Sequence, residues 1–163
     1  MIQRHEGIHA LLTVGGIGHL NPASGTWGSI PPVLLAYGLA VSGFGPGTWV
    51  WHVVLLGVVL AFGLGCALLG DEGEAWWGKD PSPVVADEVA GMALVLALIP
   101  AAPGWIGWWL IAAFLLFRLA DIVKPWPADG LQSLPGGWGI VLDDLAAAVH
   151  AAAPLIVLAL LLS

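Results

Sequence analysis

Apolar residues are concentrated in five segments of the chain, which run over residues 30–42, 49–69, 82–100, 105–123 and 143–162. A helix that crosses a membrane needs about 20 mostly apolar residues. The last four segments come close to that length, whereas the first is short unless its helix begins near Thr26. The pattern predicts an all-α, polytopic integral membrane bundle with four to five membrane helices, formed by a single domain over residues 1–163.

Residues that favour helix ends indicate where these helices begin. Proline is tolerated in the first helical turn, so residues 31–32 predict the start of the first helix. Thr48 is a suitable N-cap for the second. The Ser-Pro pair at 82–83 predicts the start of the third, and Asp143 or Asp144 the start of the last.

Composition supports a membrane location. The chain is 59% hydrophobic and only 9% charged, whereas soluble domains carry about 25% charged residues. This number of charged residues is too small to cover the surface of a soluble domain. Lipid must therefore cover part of the surface of this protein. The single cysteine, Cys66, excludes a disulfide framework and a cysteine metal site, and we expect it to be a small buried apolar residue.

Charged residues divide the loops into two kinds. The loops at 43–47 and 101–104 carry no charge, and all four basic and eleven acidic residues fall within 1–29, 70–88 and 118–144. If each segment crosses once, these three regions share one side, which the positive-inside rule makes cytoplasmic. If the first segment does not cross, residues 1–29 move to the other side.

Tryptophans at the segment ends agree with this arrangement. Five of them lie beside the uncharged loops, where they predict an aromatic belt at the membrane interface: Trp49, Trp51, Trp105, Trp108 and Trp109.

Paired acids occur in two of the apolar segments. Asp87 and Glu88 fall just over one turn into the third predicted helix, and Asp143 and Asp144 open the last one. An acid near the bilayer centre costs about 2.5–3.5 kcal/mol, and residues that costly usually have a function. The simpler alternative is that both pairs are acidic helix N-termini or N-caps.

Two further motifs have the chemistry of an anion site. Residues 20–29 form a glycine- and hydroxyl-rich loop that leads into a helix, and such loops offer backbone N–H groups to an anion. Arg118 and Asp121 lie three residues apart on one helical face, with Lys124 following. The simpler alternatives are a capped turn for the loop and an interfacial anchor for Arg118.

The predicted site contains more acid than base, so an anionic substrate would be repelled unless a cation is bound. Carboxylates without cysteine or a well-placed histidine favour a hard ion such as Mg²⁺. The ion would reverse the local field and polarise a phosphoryl oxygen. Arg118 and Lys124 would then hold the remaining phosphate charge. Of the histidines, only His19 lies near the glycine-rich loop.

Four stretches resemble the phosphatidylglycerophosphatase A family in order and spacing: NPASGTWGS (21–29), KDPSPVVADEVAGM (79–92), FRLADIVKPWP (117–127) and GGWGIVLDD (136–144). The resemblance covers nearly the whole chain. The chain departs from the family pattern at Ser24, where proline is usual, at Ala148, where glycine is usual, and in the glycine pattern of 15–19. The resemblance implies Mg²⁺-dependent hydrolysis of phosphatidylglycerophosphate to phosphatidylglycerol and phosphate at the bacterial inner membrane.

The resemblance also implies roles for individual residues. The expected metal ligands are Asp80, Asp87, Glu88, Asp143 and Asp144. The expected catalytic residues are Asp87, Glu88, Asp121, Asp143 and Asp144. The expected substrate-binding residues are Thr26, Ser29, Arg118 and Lys124. Which acid is ligand, base or nucleophile stays open. The expected partners are the phospholipid substrate and membrane lipid, with no nucleic acid.

Two rival functions remain. Paired intramembrane acids are also typical of a small cation channel or transporter. That function predicts acids near the bilayer midplane with access from both sides, whereas these acids lie toward one face. The other rival is an enzyme that acts on a related lipid phosphate.

Overall fold

The computed structural model describes residues 2–79, 81–101 and 104–162, and these residues form helices without any strand. The all-α prediction is therefore confirmed for the described chain. The helices are α1 (Ile2–Leu12), α2 (Ser24–Val41), α3 (Trp49–Trp77), α4 (Ala86–Leu98), α5 (Ile106–Val123), α6 (Ala128–Leu131) and α7 (Gly136–Leu162), with a 3-10 turn at Ile17–His19.

Three helices in the described residues are long and apolar enough to cross a membrane: α3, α5 and α7. The predicted total of four to five is not confirmed. The 13 residues of α4 reach only about 20 Å at 1.5 Å per residue, against a hydrocarbon core of about 30 Å. The chain therefore contains membrane-type helices together with shorter helices that pack among them.

Helix α4 is the centre of the bundle. Ten of its 13 residues are buried, as expected for a helix that is apolar on all sides after its first turn. Its last carbonyl groups would lack partners inside the bundle, but two side chains of α3 bind them. Trp51 Nε1 donates to Leu96 O at 3.0 Å, and His52 Nδ1 lies 3.0 Å from Ala97 O. The carbonyl groups at the end of this short helix therefore bind side chains of the neighbouring α3.

The predicted aromatic belt is wrong for two of its five members. Trp51 and Trp109 are 0% and 7% exposed, because they pack in the core. Trp49, Trp105 and Trp108 are exposed, as an interfacial position requires.

Three predicted helix starts are wrong. Helix α2 begins at Ser24, so residues 31–32 lie inside it. Helix α4 begins at Ala86 rather than at 82–83, because the Val85 N–H donates to Leu12 O at 2.9 Å and holds the preceding residues as a loop. Asp87 and Glu88 are therefore in its first turn.

The start of α7 depends on a contact with α3. The Gly137 N–H donates to Asp71 Oδ1 at 3.0 Å, and a Cβ at Gly137 would collide with Cys66 O. The two helices are therefore in close contact here, and α7 begins at Gly136, seven residues before Asp143. Asp143 and Asp144 consequently lie about two turns inside the helix and are not its N-caps.

Two local predictions are confirmed. Thr48 is the N-cap of α3, and its hydroxyl accepts the Trp51 N–H at 3.3 Å. Cys66 is fully buried and is not in a disulfide.

Candidate active site

The three charge-bearing regions of the sequence meet at one end of the bundle, around a cavity of about 330 Å³. The start of α2, the loop before α4, the first turn of α4, the end of α5 and the middle of α7 all contribute to its wall. Its described lining contains five acidic and two basic side chains: Asp87, Glu88, Asp121, Asp143, Asp144, Arg118 and Lys124. The acidic excess predicted from the sequence is therefore concentrated at one place.

Three of these acids form a tight cluster. One carboxylate oxygen from each of Asp87, Glu88 and Asp144 lies within 4.8 Å of the others. Helices α4 and α7 come close enough because residue 91 is glycine. A Cβ at Gly91 would lie 2.7 Å from the Phe117 ring and 3.1 Å from Asp144 O. The close packing of α4 and α7 thus brings the acids together.

The cluster has the donor set of a hard cation. Asp87 Oδ1, Glu88 Oε2 and Asp144 Oδ2 are buried and accept no hydrogen bond from the residues the structure describes. Burying a charge without a partner is costly, so such groups are normally paired or bound to a metal. Carboxylate oxygens without a sulfur or imidazole ligand suit a hard cation such as Mg²⁺. These residues therefore fit a magnesium ion.

Arg118 is placed between two acids. Its Nη1 lies 2.8 Å from Asp121 Oδ2 and 4.0 Å from Glu88 Oε1. The predicted shared face of Arg118 and Asp121 is therefore confirmed. Arg118 Nε is buried and has no hydrogen-bond acceptor among the described residues. This donor is available to an anion that enters the cavity.

Lys124 ends α5 in the left-handed conformation, with φ of 48°. Its Nζ donates to Asp143 Oδ2 at 2.5 Å and to Gln132 Oε1 at 2.6 Å. Asp143 Oδ1 in turn accepts the Asp144 N–H at 3.0 Å. Asp143 is therefore turned toward Lys124, and it is not a member of the three-acid cluster.

The glycine-rich loop predicted over residues 20–29 is helical from Ser24 onward, so this part of the prediction is wrong. The first turn of α2 reaches the site through its backbone. A Cβ at Gly25 would collide with Glu88 Oε1 and with both terminal nitrogens of Arg118. Ser29 is fully buried, and its Oγ donates to Gly25 O at 2.8 Å. The side chain of Ser29 thus supports the first turn of α2 from behind and does not line the cavity. Thr26 is half-buried in the same turn and is also absent from the cavity lining.

The structure thus brings together seven of the ten predicted site residues. Asp80 lies outside the described residues, and Thr26 and Ser29 lie behind the cavity wall. Sequence reasoning missed Gln132 and Gly25 as individual residues. Gly25 belongs to the loop that the sequence singled out, whereas Gln132 follows Lys124 by eight residues in a stretch without any pattern, so only the fold reveals it.

Comparisons with known proteins point to one family. A family model described as phosphatidylglycerophosphatase A matches residues 10–159. A phosphatidylglycerophosphatase A from Haemophilus influenzae is 37% identical over 146 residues, covering 88% of this chain and 83% of that protein. The Escherichia coli protein of the same name is 33% identical over 144 residues, covering 87% and 78%.

Another relative has a different name. A Bacteroides thetaiotaomicron protein named as a proposed phosphatidylinositol-3-phosphatase is 35% identical over 146 residues, covering 75% of this chain and 89% of that protein. No solved structure matches the chain. These relatives are named as phosphatases, which gives no support to the channel or transporter alternative. The chain belongs to the phosphatidylglycerophosphatase A family.

Proposed function

We propose that this protein is a Mg²⁺-dependent phosphatase that hydrolyses phosphatidylglycerophosphate to phosphatidylglycerol and inorganic phosphate. The observation that carries the proposal is the three-acid cluster beside two cationic side chains in one cavity. The names of the Haemophilus and Escherichia relatives support the substrate. The presence of both acidic and basic side chains suits a phosphate monoester, because its binding needs a metal cation held by acids as well as basic hydrogen-bond donors.

In this proposal Asp87, Glu88 and Asp144 hold the magnesium ion. These residues would hold an ion whose charge would polarise a phosphoryl oxygen and offset the negative charge of the acids. Asp143, which the family resemblance suggested as a further ligand, instead orients Lys124, because one of its oxygens is bound to Nζ and the other to the Asp144 N–H. Asp80 remains a proposed ligand outside the described residues.

The phosphate group is held by donors that line the same cavity as the acids. Arg118 contributes its Nε, and Lys124 is held at the same cavity by Gln132 and Asp143. The N-terminal turn of α2 at Gly25 faces the same space, and the positive end of a helix favours an anion there. Thr26 lies in that turn but does not line the cavity, so the turn contributes through its backbone.

The reaction needs a base and an acid as well as charge neutralisation. The oxygen of a water molecule bonds to phosphorus, and the bond from phosphorus to the terminal glycerol oxygen breaks. The water gives up a proton and the glycerol oxygen gains one. We propose Asp121 as the base that removes the first proton, because it lines the cavity outside the three-acid cluster and is held by Arg118.

The related phosphoinositide phosphatase suggests a second candidate substrate. A phosphatidylinositol 3-phosphate headgroup also presents a phosphate monoester on an anionic lipid. A site built from carboxylates and basic donors could bind either phosphate. The two substrates differ in the alcohol that leaves, so substrate competition separates the candidates.

The proposal is tested by phosphate release from purified protein in detergent. The substrates are phosphatidylglycerophosphate, phosphatidic acid and phosphatidylinositol 3-phosphate, each with Mg²⁺ or with a chelator. We expect the highest kcat/KM with phosphatidylglycerophosphate and loss of activity with the chelator. A higher kcat/KM for the phosphoinositide would favour the second candidate, and full activity in the chelator would refute the magnesium requirement.

A further inference from the structure

A group of three histidines and two tryptophans lies outside the carboxylate site. It consists of His5, His9 and His19 together with Trp76 and Trp77 at the end of α3, and we call it the histidine cluster. A cavity of about 560 Å³ adjoins it, lined by two of these histidines, both tryptophans and Glu6. The proposed phosphatase chemistry uses none of these residues.

The sequence of α1 contains a recognised spacing of metal ligands. Residues 5–9 read His-Glu-Gly-Ile-His, and the structure makes them helical. On a helix this H-E-x-x-H spacing places both histidines on one face, where they bind zinc in many proteins. His5 and His9 share a face here, because both rings contact the Trp76 ring, at centroid distances of 5.9 and 6.2 Å.

The fold adds a third histidine to this pair. The 3-10 turn at Ile17–His19 returns the chain to α1, and His19 Nε2 lies 3.3 Å from His9 Nε2. Zinc binds imidazole nitrogens at about 2.0–2.1 Å in tetrahedral geometry, which separates two ligand nitrogens by about 3.3–3.4 Å. The observed separation equals that of two ligands on one ion.

The surrounding side chains suit a bound cation. The Trp77 ring packs edge-on against both imidazoles, at centroid distances of 5.3 and 5.9 Å, which restricts how the rings can turn. Glu6 places a carboxylate at the adjoining cavity. Imidazole ligands favour zinc and similar transition ions over Mg²⁺, so the two sites differ in the ion that they select.

We propose that the histidine cluster binds a Zn²⁺ ion. His9 and His19 supply its first two ligands in their observed positions. His5, one helical turn before His9, turns toward them to supply the third when the ion binds, and water completes the coordination. The ion would join α1 to residue 19, directly before the loop that packs Gly25 against Glu88 and Arg118. The proposal concerns metal binding and does not depend on the proposed phosphatase activity.

The test is equilibrium dialysis of the full-length protein in detergent against Zn²⁺ with excess Mg²⁺, followed by metal analysis. The variants are His9→Asn and His19→Asn, with His150→Asn as control, because His150 is an exposed histidine far along α7 whose Nδ1 lies 2.8 Å from Ala146 O in its own helix. We expect the two cluster variants to bind Zn²⁺ at least about tenfold more weakly than wild type, since even losing a partner of a ligand costs about 10- to 100-fold.

Thermal unfolding gives a second, independent measurement. A ligand that binds only the folded state raises Tm, so Zn²⁺ should raise the Tm of wild type and of His150→Asn more than that of either cluster variant. Zn²⁺ that binds the carboxylates would raise Tm equally in all variants. A difference in the Zn²⁺-dependent rise in Tm between variants therefore measures binding by the histidines. Equal Zn²⁺ affinity in wild type and both cluster variants, or no binding by wild type, would overturn the proposal.

Discussion

Asp143 and Asp144 are neighbours on α7 but have different partners. Asp143 is bound to Lys124 and to the backbone, whereas Asp144 Oδ2 faces Asp87 and Glu88 without a hydrogen bond from the described residues. In the absence of a cation, three buried carboxylates repel one another. The cluster therefore costs stability that a bound cation would offset, so the proposed metal role predicts different effects on stability and on activity.

Replacing Asp144 by asparagine should have opposite effects on activity and on metal-free stability. We expect kcat/KM for phosphate release to fall by at least about 100-fold, because even the loss of a residue that only hydrogen-bonds to a metal ligand costs about 10- to 100-fold. The Tm in the presence of a chelator should rise, since one repelling charge is removed. Activity assays and thermal unfolding of the purified variant measure both quantities.

The control for this prediction is Asp129→Asn, which neutralises an exposed acid that does not line the cavity. It should leave both quantities near their wild-type values. Near wild-type activity of Asp144→Asn would refute the proposed ligand role of Asp144.

At the scale of elements, helix ends position the site. The N-terminal turn of α2 contacts the cavity through Gly25, the first turn of α4 carries Asp87 and Glu88, and the end of α5 carries Lys124. The opposite end of α4 is held by Trp51 and His52. Each end has a distinct set of contacts, so changes at the two ends should have separable effects.

Gly25→Ala should disrupt the site, because its Cβ would collide with Glu88 and with the Arg118 guanidinium. We expect a loss of at least about tenfold in kcat/KM, or about 1.4 kcal/mol. The matched control is Gly38→Ala in the same helix, where a Cβ meets no described atom within 4 Å. That control should keep its activity and gain up to about 1 kcal/mol of helix stability. Equal activity of the two variants would contradict the close contact at Gly25.

Trp51→Phe should destabilise the bundle without altering the site. It removes the indole hydrogen bond to the Leu96 carbonyl, which keeps only the longer bond from the Ile99 N–H at 3.3 Å. A hydrogen bond of this kind contributes about 0.5–1.5 kcal/mol to stability. Unfolding in detergent by denaturant measures the loss. Trp49→Phe is the control, because Trp49 is 75% exposed and its replacement should cost little. If KM also changed in Trp51→Phe, the two ends of α4 would be coupled.

In the whole molecule, the three charge-bearing regions lie at one end of the bundle. The uncharged loop that precedes α3 lies at the opposite end. Helix α3 has 29 residues and is therefore about 43 Å long at 1.5 Å per residue, which separates the two ends by more than a bilayer core. The positive-inside rule favours the cytoplasm for the site end.

Cysteine labelling tests this orientation. Ser42 and Asp129 are exposed at opposite ends of the bundle, and the native Cys66 is buried. A membrane-impermeant maleimide added to intact cells should label Ser42→Cys, and it should label Asp129→Cys only after the cells are opened. The reverse pattern would place the active site on the outer face.

Much of the site could be predicted because its residue types are rare in an apolar chain. The acids at 87, 88, 143 and 144 stand out because burial makes them costly, and Arg118 with Asp121 follows from helical spacing. The starts of α4 and α7 could not be predicted, since residues distant in sequence determine them. Leu12 accepts the Val85 N–H, and Asp71 accepts the Gly137 N–H.

The sequence alone was sufficient to determine that this protein is helical, partly covered by lipid and equipped with an acidic site near two basic residues. Those properties depend on composition and on local spacing, which do not require knowledge of the fold. Only the tertiary structure decided that Asp144, and not Asp143, joins Asp87 and Glu88, and that Gln132 holds Lys124. Such pairings arise where separate helices pack, at Gly91 and Gly137 among other places, and no local pattern records them.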